Sequence, residues 1–124
     1  MIKTIQITDL ASPCITRMRG KEAAAKLLEI VKKEQVIIDL NESDSLSVSF
    51  LDEIIFWLAT SANLQRTIFK VNSKLIRDKL AHIASFRNTT VLYYSDDTKV
   101  RELDPKAYTN YETSFMADKS LLKL

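Results

Sequence analysis

Glycine is almost missing from this chain: Gly20 is the only one among 124 residues. A Walker loop and a dinucleotide fingerprint both need several glycines to bring backbone close to phosphate, so neither can be written here. Cysteine is equally scarce, and Cys14 alone excludes an internal disulfide or a CxxC pair for zinc or redox work. It reads as a small buried hydrophobe. His82, the sole histidine, has no second histidine with which to share a metal and no evident nucleophile to serve. Charge of one sign is lacking too. With 18 basic and 16 acidic residues the net charge is +2, so no global field draws the chain to nucleic acid or to an anionic membrane. No apolar run approaches the roughly 18 to 20 residues of a membrane span. The opening MIKTIQI alternates polar and apolar residues and lacks the apolar core of a signal peptide, so a cytoplasmic location is expected; with neither a glycine-rich phosphate loop nor a metal-ligand spacing, no cofactor is expected.

What is present is a core. Hydrophobic residues make up 46% of the chain, enough to close one domain at this length. Residues 2–10 alternate with period two, like a strand, and Ser12-Pro13 breaks the run before a possible short strand over 14–16. Gly20 precedes a helix over about 21–33, with Ala23, Ala24, Leu27, Leu28 and Val31 at helical spacing. Its flanking cations Arg17, Arg19, Lys21, Lys26, Lys32 and Lys33 are interspersed with Glu22, Glu29 and Glu34, a solvated charged face. A strand over 36–40 follows, and its run Val36-Ile37-Ile38 has no polar alternation, the mark of a parallel strand covered on both faces. A helix over 50–62, a strand over 67–71, a helix with Leu75, Ile76, Leu80, Ile83 and Ala84 on one stripe, and a strand over 89–94 complete the series. Asn72 or Ser73 can cap that last helix. The order predicts an α/β fold, a mostly parallel or mixed sheet of four to five strands packed against helices. Residues 1–94 would form this domain. Residues 95–124, punctuated by Asp96-Asp97 and Asp104-Pro105, carry Tyr108, Tyr111, Phe115, Met116, Leu121, Leu122 and Leu124 as anchors, and would pack on the domain or bind a partner.

Chemistry concentrates between the second strand and the helix after it. Ser43, Asp44, Ser45, Ser47 and Ser49 fill the turn, the place where open α/β sheets meet ligands and partners. With Ser49 as N-cap, Asp52 occupies the third helical position, and Asp52 and Glu53 lie in the first turn where the helix dipole favours negative charge. A serine here could instead accept phosphate. Projected at about 100° per residue, Phe50, Leu51, Ile54, Ile55, Trp57, Leu58 and Ala62 form one apolar arc. Phe56 falls outside it, on the side of Asp52, Glu53 and Thr60. An aromatic there would be exposed as an interaction anchor or covered by Tyr108, Tyr111 or Phe115. Asp39, Asp44 and Asp52 match no specific metal or acid-base spacing.

The segments TRMRGKEAAAKLLEIV and QVIIDLNESDSLSVSFLDEII resemble the STAS-like domain family of unknown function, related to the STAS domains of sulfate transporters and anti-sigma factor antagonists. The resemblance rests on an Arg before an Ala- and Leu-rich helix, the V-I-I-D-L strand and S-x-S-F-x-D-E at the next helix start. In the related antagonists this turn reads D-S-S-G-L, and its first serine is phosphorylated by a partner kinase. Aligned strand to strand, Ser47 stands at the Asp, Val48 at the phosphorylated Ser, Ser49 at the second Ser, Phe50 at the Gly and Leu51 at the Leu. A valine cannot accept phosphate, so the switch would survive only with Ser47 or Ser49 in its place.

The resemblance implies a noncatalytic regulatory domain that binds another protein, with a separate histidine-kinase-type ATPase as the implied partner. On that reading Ser43, Asp44, Ser45, Ser47, Ser49, Asp52, Glu53 and Phe56 form the partner-binding edge. A small-molecule or nucleotide sensor using the strand-end crevice is the alternative. A metal-assisted hydrolase on Asp39, Asp44 and Asp52 ranks third.

Overall fold

A computed structural model describes residues 2–40, 45–96 and 99–105. Its sheet has five strands in the order β1 (Ile2–Gln6), β2 (Gln35–Asp39), β3 (Thr67–Lys70), β4 (Val91–Tyr94) and β5 (Arg101–Leu103). The first four are parallel and β5 is antiparallel to β4, so the fold is α/β with a mixed sheet, as the alternation of patterns implied. β5 comes from the segment read as an extension.

The chain steps one strand at a time in a single direction, and right-handed crossovers then place every connecting helix on the same face. Helices α2 (Arg17–Val31), α3 (Val48–Thr60) and α4 (Lys74–Arg87) accordingly form one layer with α3 in the middle. Beneath them Val36, Ile38, Phe69, Val91 and Tyr93 join Leu27, Phe50, Ile54, Leu58, Leu80 and Ile83 in the core. Among the described residues no helix lies on the other face, whereas the unbroken run Val36-Ile37-Ile38 led us to expect cover on both.

Several boundaries differ from the expected ones. The first strand stops at Gln6, because Thr8-Asp9 breaks the period of two while Ile7 and Leu10, three apart, turn inward on a short helix α1 (Ile7–Leu10). Residues 12–16 make turns instead of a second strand. There the Cys14 carbonyl accepts from Ser47 N at 3.1 Å and the Ile15 carbonyl from the Ser47 hydroxyl, which occupies these acceptors without a sheet ladder. Cys14 is buried, donates to the Ala11 carbonyl at 3.3 Å, and burial pushes its thiol pKa up. On α4, Ser73 is the cap, accepting from Ile76 N at 3.3 Å; Leu75 leaves the core stripe and is exposed, while Ala81 joins it.

Helix α2 begins at Arg17, four residues before the expected start, with Thr16 capping Arg19 N at 3.1 Å. Gly20 therefore lies inside the helix. Its role is close approach: a Cβ there would meet Phe50 O at 2.6 Å and Glu53 Cβ at 2.9 Å on α3.

With no glycine left for helix ends, other residues take the left-handed position. Asn88 ends α4 at φ 53°, a conformation asparagine tolerates, but Ala62 follows α3 at φ 62°. The Asn63 N–H to Leu58 carbonyl bond at 2.8 Å closes that turn. Ala62→Gly should raise stability by about 0.5–1 kcal/mol, the relief of left-handed strain less the backbone entropy of glycine, as read from urea midpoints. An unchanged or lower midpoint would show that Ala62 is not strained.

Candidate functional site

The helix after the serine turn starts at Val48, two residues earlier than expected. Ser47, not Ser49, is its N-cap, accepting from Phe50 N at 3.1 Å while its own hydroxyl donates to Ile15 O. The cap thus also ties α3 to the turn before α2. Ser49 becomes the second helical residue and is half-buried; Ser45 is exposed; Ser43 and Asp44 lie outside the described residues. Lys79 of α4 donates to Leu46 O at 2.6 Å and holds the same turn from the other side.

The shift of two residues changes what Asp52 does. As the fifth helical residue it no longer meets free N–H groups, and it is only 3% exposed. Arg87 grips it with two bonds, Nε to Oδ1 and Nη2 to Oδ2, each 2.7 Å, and Arg17 Nη1 adds a third to Oδ2 at 2.7 Å. One carboxylate therefore joins α2, α3 and α4. The Arg87 hydrogen bond, with help from Arg17, holds the Asp52 carboxyl below the usual carboxylate range although burial pushes the other way. The outward orientation expected of Asp52 is thus replaced by a lateral one, toward the neighbouring helices.

Glu53 extends the cluster. Its Oε2 lies 3.3 Å from Arg17 Nη1 and its Oε1 accepts from Trp57 Nε1 at 3.0 Å. Phe56 is half-buried: the Arg87 guanidinium sits 4.8 Å from its ring centre, and Trp57 meets it edge-on at 5.4 Å. The cover of Phe56 within the described residues is thus a cation from α4; Tyr108, Tyr111 and Phe115 lie outside them.

Above this cluster runs a groove of about 180 Å³ lined by Arg17, Val48, Asp52, His82, Ile83 and Phe86. Asp52 and Ile83 make its buried floor. Val48 (37% exposed) and Phe86 (71% exposed) make apolar walls, and exposed Arg17 and His82 supply a polar rim. The serine-centred reading missed Phe86 and Arg87. Each pairing of Asp52 with an arginine spans 35 residues, so no local spacing could announce it. Arg17, read as part of a solvated face, does carry one clue: it stands in the motif on which the family resemblance rests.

Of the other two aspartates in the hydrolase reading, Asp44 lies outside the described residues and Asp39 does not join Asp52. Asp39 lies on the reverse face of the sheet, 3.8 Å from Lys70 Nζ and 3.3 Å from Gln6 Nε2. Among the described residues no group of three His, Cys, Asp or Glu side chains could hold a metal. No helix among them is long and apolar enough to cross a membrane. No family model, curated protein or solved structure matches the chain.

Proposed function

We propose that this chain is a noncatalytic, STAS-like regulatory domain that captures a protein partner in the groove between the start of α3 and the outer face of α4. The observation that carries the reading is the exposure of Val48 and Phe86 over a floor fixed by the Arg17–Asp52–Arg87 cluster. Large apolar side chains around a rigid, polar-rimmed groove have the composition of an interaction hot spot. On the resemblance, Val48 also stands where the related antagonists carry their phosphoserine, which supports a docking edge at the same turn that does not require phosphate. The partner implied by the resemblance is a histidine-kinase-type ATPase. Ser47 serves the turn's structure in this reading, and neither it nor Ser49 is required to accept phosphate. A small-molecule or nucleotide sensor using the strand-end crevice is the second reading; the groove itself, at about 180 Å³, is smaller than the roughly 300–1,000 Å³ of drug-sized ligand sites.

Affinity capture on the full chain from its host, read by mass spectrometry, tests the proposal. The wild type should retain an ATPase of this type, and Val48→Ser/Phe86→Ser should bind it at least about tenfold more weakly at an unchanged melting temperature. Equal binding by the two forms would remove the groove from consideration. A nucleotide that raises the melting temperature of the isolated chain would favour the sensor.

A further inference from the structure

Four parallel strands make a demand that the described helices meet on one side only. Parallel sheets occur almost entirely with both faces covered, because their strands carry apolar residues on both. On the reverse face Ile37, Ile68 and Leu92 stand side by side in register, bounded by Thr4 on β1 and Glu102 on β5. Ile68, at the centre of this strip, is 8% exposed yet stands apart from the core cluster; Ile37 and Leu92 are half-buried. The strip is three strands wide and lies across the sheet from the docking groove.

We propose that residues 106–124 of the same chain pack across this strip as the second covering layer of the sheet. Attachment is the first argument. Among the described residues β5 lies at one edge of the sheet, with Glu102 in register with Ile68 two strands away, so only residues 103–105 separate the strip's row from the start of the segment. A tether that short holds an effective concentration on the order of millimolar, well above that of a free partner. Length is the second. The whole sheet is roughly 19 Å wide at the usual strand spacing, and nineteen residues can extend to about 60 Å. Composition is the third, since Tyr108, Tyr111, Phe115, Met116, Leu121 and Leu122 give the segment the apolar side chains that such a strip would bury.

The test uses the full chain, ¹⁵N-labelled and carrying a nitroxide at Ala117→Cys. The expected result is loss of amide signal at Ile37, Ile68 and Leu92, with Ala25 on the exposed side of α2 unaffected. Those signals should return when Leu121→Ser/Leu122→Ser is added. Signal loss confined to the helix layer, or none at the strip, would overturn the proposal. Loss seen only when the nitroxide rides on a second, unlabelled chain would assign the strip to a dimer and overturn it equally. Strip signals that are untouched in the isolated chain but shift when the captured ATPase is added would assign it to the partner, with the same consequence. None of these outcomes bears on Val48 or Phe86, so the groove and the strip stand or fall separately.

Discussion

Asp52→Asn is expected to cost on the order of 3 kcal/mol at neutral pH, the typical penalty for removing one partner of a buried ion pair. The carboxylate accepts three charged hydrogen bonds on two oxygens at 3% exposure. An asparagine keeps one acceptor and turns an NH₂ group toward a guanidinium donor, while Arg17 and Arg87 are left facing each other without the charge between them. The cost should depend on pH. Arg87 first, then Arg17, depress the Asp52 pKa in the folded state below its ordinary value of 3.8. A group depressed on folding contributes stability that is complete above its unfolded pKa and is lost as pH falls through the folded one. The gap between wild type and variant in urea melts should therefore be full at pH 7 and at pH 5, and should narrow below about pH 4. A gap of the same size at pH 3 would mean that Asp52 acts by shape, not charge. Arg17→Ala should cost less than Arg87→Ala. The Arg17 side chain is 52% exposed against 28% for Arg87, and only Arg87 also packs on Phe56.

Asp52 also marks where sequence reasoning stops. The α/β order was legible because runs such as Val36-Ile37-Ile38 and stripes such as Ile76, Leu80 and Ile83 carry their periods locally. A helical projection, however, separates only a core-facing side from the rest, and that is adequate for a helix with solvent on its flanks. α3 lies between α2 and α4, so its flanks are buried too, and Asp52 sits on one of them. A serine cap is legible in this turn, but local spacing favours Ser49 over Ser47 and so puts the helix start two positions late. An Asp at the third helical position offered a self-consistent box, and only the Ser47 bonds to Phe50 and Ile15 distinguish the two registers. The groove walls escaped notice because exposed Phe86 belongs to no motif. Its significance comes from standing opposite Val48 across a turn of the fold.

Gly20→Ala inverts the usual effect of that substitution and tests the helix layer directly. In an isolated helix the change would gain about 1 kcal/mol, since alanine is the better helix former. Here the new methyl would sit 2.6 Å from the Phe50 carbonyl oxygen and 2.9 Å from Glu53 Cβ. The first of these is a backbone oxygen in the first turn of α3 and cannot swing aside as a side chain could. α2 and α3 must therefore separate, and overpacking of this kind costs about 1–3 kcal/mol, which cancels the propensity gain and leaves a net loss of up to about 2 kcal/mol. Ala25→Gly, on the exposed side of the same helix, is the control. It should destabilise by about 1 kcal/mol through propensity alone. If both substitutions simply follow propensity, so that Gly20→Ala stabilises, the close crossing of α2 and α3 does not exist. The crossing also reaches the groove. Arg17 is one helical turn from Gly20, and displacing α2 draws its guanidinium away from Asp52 and Glu53. Gly20→Ala should thus weaken partner capture as well as stability, whereas Ala25→Gly should lower stability and leave capture intact at temperatures where the chain is folded.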